Sequence, residues 1–246
     1  MTKKSRLDLL VNQQFPEYSR RIIQSWIMQG KVKVNGVPVT KPGTLIASDV
    51  FLIVDAHEPK YVSRAGFKLE KALAYFHVDP KGLVVLDAGL STGGFTDCLL
   101  QQGVAKIYGV DVGYGQVHEK IRTDLRVVVL ERTNLRELRN VGELIDLVTL
   151  DLSFISVLKV MDAVAALLKP QGQLIVLIKP QFEAKKEEVE RGGLITNPKV
   201  HERIIAEVIA GIESHGFICK GYTDSPIAGT TGNKEFLAYF VRLTNK

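Results

Sequence analysis

An apolar run over residues 83–86 stops at Asp87, and a turn holding Gly89, Gly93 and Gly94 follows before a helical pattern begins. Strand, tight glycine turn and helix start, in that order, are the layout of a ligand crevice in an open α/β sheet. The glycines do not read G-x-G-x-x-G. They put residues without side chains where a ligand would approach the backbone. A second acid, Asp111, ends the next strand-like run, residues 106–110. An acid at the tip of the second strand, roughly 20 residues past such a loop, is expected to hydrogen-bond a ribose hydroxyl.

Strand and helix signals then alternate. Residues 127–130, 147–150 and 174–178 read as strands, and 64–76, 155–168 and 200–215 as helices. Residues 217–219 and 236–240 are two final strands with no helical pattern between them. The expected fold class is α/β: a Rossmann-like, mostly parallel seven-stranded sheet covered on both faces. The final pair predicts a hairpin and one antiparallel edge strand. No apolar run approaches the roughly 20 residues of a transmembrane helix. The basic N-terminus is followed by no long apolar stretch, so no signal peptide is expected. Cys98 and Cys219 lie far apart and sit in apolar patterns. Both are expected to be buried thiols of a cytoplasmic protein. The five histidines do not cluster, so no metal is expected.

A separate unit precedes the sheet. Ser5 is placed to cap a short helix carrying Leu7, Leu10 and Val11, which Phe15-Pro16 ends. Ser19 is placed to cap a second helix with Ile22, Ile23, Trp26 and Ile27 on one face and Gly30 past its end. Asn35-Gly36 between two short alternating runs signals a hairpin, and residues 51–54 supply a closing strand. Trp26 shares the face of Ile22 and Ile23, so it is expected in a core. Exposed basic residues in and after this unit, Arg6, Arg20, Arg21, Lys31, Lys33, Lys41 and Arg64, are the candidate RNA contacts. The net charge of +5 fits a phosphate-rich partner. The expected organisation is a small α+β RNA-binding domain over 1–54, a polar linker over 55–60 and the sheet domain over 61–246.

The order from Ser19 to Gly36, S-R-x-x-x-x-x-x-I-x-x-G-x-V-x-V-N-G, resembles the small RNA-binding domain named after ribosomal protein S4. The D-x-G-x-x-x-G-G loop resembles the S-adenosylmethionine (SAM) loop of class I methyltransferases. That likeness implies SAM as cofactor, bordered by Asp87, Gly89, Ser91, Thr92, Gly93, Gly94, Phe95, Asp111, Val112 and Asp151. At the fourth strand, amino-methylating enzymes carry an Asn/Asp-Pro-Pro-aromatic turn, where this chain has Asp151-Leu152-Ser153-Phe154. Neither cysteine ends a strand facing the crevice, so a covalent cysteine mechanism is not expected.

Charge is what remains at successive strand ends: Asp151, Lys179 and Glu235, with Lys68 on the opening helix. Each alone has a plain structural alternative, as helix cap, loop lysine, edge-strand charge or solvated helix charge. Together they resemble the Lys-Asp-Lys-Glu tetrad of FtsJ-type ribose 2′-O-methyltransferases. The chemistry accounts for the residue types. SAM carries an activated methyl group, so the enzyme must align an oxygen behind it and help that oxygen lose a proton. A base lysine must be neutral when it accepts the proton, and a second lysine or desolvation disfavours its charged form. Lys179 is the candidate base and Lys68 its neighbour, stabilising negative charge on the oxygen. Asp151 would orient Lys179, and Glu235 would hold Lys68 or the ribose.

Six longer strings are similar to the TlyA family: 61–69, 91–97, 111–116, 131–134, 151–156 and 179–183. Its members are often labelled haemolysins, and those studied as enzymes are rRNA cytidine 2′-O-methyltransferases. The resemblance spans nearly the whole chain. It implies ribosomal RNA or ribosomal subunits as partner, with Arg132, Thr133 and Asn134 bordering the adenosine or the catalytic floor. Leu90 departs from the smaller residues common in the loop and is expected to narrow the pocket. Three alternatives stand beside this expectation. One is a membrane-active haemolysin, which would need an insertion segment that the chain lacks. The others are a ribosome-binding factor with a non-catalytic SAM pocket, and a methyltransferase of another substrate. The target nucleotide, the ribosomal subunit and the oligomeric state are left open.

Overall fold

The computed structural model describes residues 4–55, 59–229 and 231–244, so residues 56–58 of the expected linker lie outside the described residues. The chain divides into two compact units, Met1–Pro59 and Lys60–Lys246.

The smaller unit runs β1 (Lys4–Arg6), α1 (Leu7–Gln14), α2 (Arg20–Met28), β2 (Val32–Val34), β3 (Val37–Pro38), β4 (Leu45–Ala47) and β5 (Leu52–Val54). Strands β3, β2 and β5 form one antiparallel sheet in that order, and β1 pairs with β4. Asn35 and Gly36 turn the β2–β3 hairpin with φ of 49° and 83°, as two left-handed positions in a tight turn require. Leu7, Val11, Ile23, Trp26, Ile27 and Val32 make the core. Trp26 meets Phe15 and Tyr18 edge-on and is a core residue, as its helical face implies. Ile22 instead faces out of α2. Ser5 does not cap α1. It lies in β1, and the free amides of Leu7 and Asp8 donate to the carbonyls of Thr44 and Pro42, which does the work of a cap.

The larger unit begins with α3 (Ala65–Tyr75), β6 (Val84–Ala88), α4 (Gly94–Gln101), β7 (Lys106–Val110), α5 (Glu119–Arg122) and β8 (Val127–Leu130). It continues with β9 (Ile145–Leu150), α6 (Met161–Leu167), β10 (Leu168–Ile178), α7 (Pro180–Glu183), α8 (Pro198–Glu213), β11 (Phe217–Asp224) and β12 (Phe236–Arg242). The sheet order is β11-β12-β10-β9-β6-β7-β8, parallel except where β12 runs against both its neighbours. One face is covered by residues of α6 and α8, such as Met161, Val164, Ile204 and Val208. The other is covered by Leu69 and Leu73 of α3 and Phe95 and Leu99 of α4.

Three expectations are corrected here. The antiparallel strand is interior. Residues 236–240 are an unbroken apolar run buried on both faces, whereas β11 alternates buried and exposed residues and forms the edge. The expected helix over 155–168 arrives as a 3₁₀ turn, Val157–Val160, followed by α6. Phe154 sits at φ 65°, where a right-handed helix cannot start, and Leu168 is already extended in β10. Cys98 is buried, but Cys219 is only half-buried on the edge strand. Among the described residues, no helix is long and apolar enough to cross a membrane.

Candidate active site

The turn after β6 is built from below. Asp87 is fully buried and takes no place on the crevice wall, contrary to expectation. Its two carboxylate oxygens accept the hydroxyls of Thr96 in α4 (2.6 Å) and Thr149 in β9 (2.8 Å). It therefore ties the sheet to the first turn of α4. Burial pushes its carboxyl up to about 6, with the charge of Asp151 adding to the effect and the two threonines opposing it.

The glycines permit protein to approach protein. A Cβ on Gly89 (φ 88°) would lie 2.3 Å from the carbonyl oxygen of Asp151. One on Gly94 would lie 2.2 Å from Ser63 Oγ and 3.0 Å from Ala65 Cβ, so its absence lets the start of α3 close on α4. Gly93 backs onto Ile121 and does not line the crevice. Leu90 packs against Gly109 of β7, which has no side chain to oppose it, and only its edge borders the crevice.

Two adjoining cavities, of about 300 and 370 Å³, open over the carboxyl ends of β6, β7 and β9. Gly89, Ser91, Asp151 and Ser153 border both. The first cavity brings together all four residues of the expected tetrad, along with Ser91, Thr92, Gly94 and Phe95. Lys68 Nζ donates to Glu235 Oε2 at 2.5 Å, and both side chains are almost fully buried. Lys179 Nζ lies 2.6 Å from Asp151 Oδ1 and donates to Ser153 Oγ at 2.9 Å. Asp151 and Ser153 thus take two substituent directions of the tetrahedral nitrogen of Lys179, a residue that lines the first cavity.

The second cavity is more apolar, with Val110, Leu135 and Val160 in its walls and Asp111, Val112, Thr133 and Asn134 at its edge. Asp111 accepts the amides of Ser91 and Gly113, both at 2.7 Å, one on each oxygen, which leaves further lone pairs on both. Asn134 is partly committed, its Oδ1 capping the 3₁₀ turn Leu135–Glu137. Arg132 stands outside both cavities, stacked 4.1 Å over the ring of Tyr114.

Sequence reasoning missed the rim. Phe154 is 91% exposed, held at a left-handed φ, with its ring 5.1 Å from that of Phe182. Glu183 accepts the Val157 amide at 2.8 Å and its burial pushes its carboxyl up, so residues 179–183 grip the Phe154 loop at several points. An aromatic residue directly after a strand-end acid was the available signal. Phe154 is thereby held at the edge of the second cavity.

Of the expected RNA contacts, Arg6, Arg20, Arg21 and Lys41 are exposed and Lys31 and Lys33 half-buried in the smaller unit. Arg64 is exposed on the wall of the first cavity in the larger unit.

The burial of Asp87 makes a prediction about pH. Below about pH 4 the acid is protonated in both folded and unfolded chains, and above about 6 it is ionised in both. Between those limits only the unfolded chain ionises, so native stability falls as pH rises, by about 3 kcal/mol in all. Asp87→Asn should lack this loss. Denaturant unfolding at pH 4 and 7 should show the variant gaining on the wild type by roughly that amount. A constant difference across the window would show that Asp87 does not titrate there.

Comparison with known proteins places the chain. A model of the FtsJ-like methyltransferase family matches residues 61–242, and a model of the S4 domain matches residues 5–49. The 16S/23S rRNA (cytidine-2′-O)-methyltransferase TlyA of Mycobacterium tuberculosis is 37% identical over 100% of this chain and 93% of its own length. Hemolysin A of Brachyspira hyodysenteriae is 41% identical over 96% of this chain and 99% of its own. Among solved structures, a candidate hemolysin from Streptococcus thermophilus superposes with a TM-score of 0.76 at 37% identity, covering 100% of this chain and 90% of the other. A SAM-dependent methyltransferase from Listeria monocytogenes shares only the fold, with a TM-score of 0.55 at 16% identity. With an S4 domain ahead of a methyltransferase sheet and full-length relatives of both names, the chain belongs to the TlyA group of the FtsJ-like methyltransferase family.

Proposed function

We propose that this protein methylates the ribose 2′-hydroxyl of a cytidine in ribosomal RNA, with SAM as donor. The observation that carries this is the first cavity, where two lysines, each paired with a carboxylate, meet beside the glycine turn. The residues fit SAM. Asp111 offers free lone pairs beside an apolar cavity suited to a nucleoside, and Asp151 brings a carboxylate to the neck between the cavities. When bound, SAM supplies a methyl group already activated on a sulfonium.

The rest falls to the chain. Lys179 would take the proton of the 2′-hydroxyl, leaving that oxygen free to accept the methyl group. Asp151 and Ser153 hold two directions of its nitrogen, and it lines the first cavity. Lys68, fixed by Glu235, places a positive charge near the oxygen that becomes negative. Phe154 offers an exposed ring at the mouth for stacking an unpaired base. The S4 domain and its basic residues dock the folded RNA, and the protein works in the cytoplasm, where ribosomes are.

The test is incubation of the full chain with labelled SAM and ribosomal subunits, or deproteinised ribosomal RNA, from a strain lacking the enzyme. Label on a cytidine 2′-oxygen is the expected result. Label on a base or on protein, or none with either RNA source, overturns the proposal. The comparison of the two RNA sources tells assembled subunits from free RNA.

A further inference from the structure

A fully buried carboxylate in the smaller unit has no part in that chemistry. Asp8, in the first turn of α1, has no exposed surface, yet its hydrogen-bond partners reach solvent. Arg6 of β1 donates Nε to one Asp8 oxygen and an Nη to the other, both at 2.9 Å. Arg20, the first residue of α2, donates Nη and Nε to the second oxygen at 3.0 and 3.2 Å. Gln24, one turn further along α2, adds a fourth group on that oxygen at 2.9 Å. The Arg6 hydrogen bond is the largest influence holding the Asp8 carboxyl well below the usual range, against its burial.

The arrangement is one-sided. The acid is buried, but the side chains of Arg6 and Arg20 remain 44% and 51% exposed. Here one anion draws two guanidiniums onto a single oxygen while both side chains stay part-exposed. Two like charges so close would separate without it. Each arginine keeps unused N–H groups in a rigid plane, the geometry that engages two phosphate oxygens at once.

We propose that Asp8 is a positioning residue, holding Arg6 and Arg20 as one two-pronged clamp for a backbone phosphodiester of folded RNA. This rests on the proposed RNA substrate. The clamp sets where and in what orientation the phosphate backbone sits, whereas an unanchored lysine contributes only attraction.

Charge and positioning predict opposite signs when Asp8 is changed. Asp8→Asn makes the chain more positive by one, from its net +5. By charge alone it should bind RNA more tightly. The clamp predicts weaker binding, by about ten-fold, with a slope of log K against log salt shallower by about 1. The measurement is binding of the full chain to deproteinised ribosomal RNA between roughly 50 and 200 mM salt. Equal or tighter binding by the Asp8→Asn variant overturns the clamp. Its SAM affinity should match the wild type, since Asp8 lies outside the methyltransferase unit. If that variant unfolds, Arg20→Lys decides, because it keeps the charge and removes the fork. It should also bind more weakly, and wild-type affinity and slope would overturn the clamp. Wild-type chain that binds no RNA removes the substrate itself, and the clamp with it. Wild-type binding with an unchanged variant removes the clamp alone.

Discussion

Lys179→Ala should lower methyl transfer at least about 10³-fold while changing SAM affinity no more than about three-fold. The lysine borders the first cavity and is 8% exposed, and the nucleoside side of the crevice is built by other residues. Loss of the side chain removes the proposed base, but it leaves the glycine turn, Asp111 and the apolar walls in place. A charge-preserving change separates two possible roles. Lys179→Arg keeps a cation beside Asp151, but a guanidinium has no accessible neutral form. If Lys179 acts as base, the arginine variant should be as inactive as the alanine variant. If it acts only through its charge, the arginine variant should recover much of the rate. Single-turnover transfer to ribosomal RNA, paired with calorimetric SAM binding, reads both quantities. Turnover by the alanine variant within ten-fold of wild type would exclude Lys179 from proton transfer.

Gly89→Ala should be the most damaging single-methyl change in the larger unit. The new Cβ would fall 2.3 Å from the Asp151 carbonyl oxygen and 2.8 Å from its carbonyl carbon. Both partners are backbone, so neither can swing aside. Residue 89 also holds φ at 88°, which alone costs a non-glycine residue about 1–2 kcal/mol. With the clash, the cost is expected near 3–4 kcal/mol, or a fall of roughly 10 °C in the unfolding midpoint. The end of β9 must move, and Asp151 with it, so SAM affinity should fall more than ten-fold. Gly82→Ala is the control. It has φ 74° with nothing within 4 Å of the added carbon, and it should show the backbone cost alone, with SAM affinity unchanged. Similar effects from the two substitutions would mean that the Asp151 contact has no weight.

Much of the larger unit was legible in sequence because its strands are short apolar runs closed by acids, glycines or lysine. Strand-end position picked out Asp151, Lys179 and Glu235, and the resemblance to the FtsJ-type tetrad added Lys68 from α3. Their pairing came from the resemblance to the FtsJ-type tetrad, which set Asp151 beside Lys179 and Glu235 beside Lys68 or the ribose. Lys68 and Glu235 stand 167 positions apart, and no local spacing couples them. The burial of Asp87 was hidden for the same reason, since Thr149 comes from a different strand. The place of β12 was misread as an edge, although the unbroken apolar run of 236–240 beside the alternating 217–224 carries the signal for an interior strand. The β1–β4 ladder was not readable, because strands of three residues carry no period. Phe154 escaped because its exposure depends on a left-handed backbone that nothing in an Asp-Leu-Ser-Phe string demands.

The interior position of β12 has a consequence for synthesis. Residues 236–241 pair with β10 on one side, and the same strand pairs with β11 on the other. A nascent chain therefore carries a gap in its sheet, with two unsatisfied strand edges, until β12 has been made and inserts. Glu235 arrives with that strand, so a growing polypeptide holds Lys68 without its acid partner until the gap is filled. The Lys68–Glu235 pair of the first cavity thus forms only as the sheet closes, after β10 and β11 are already in place.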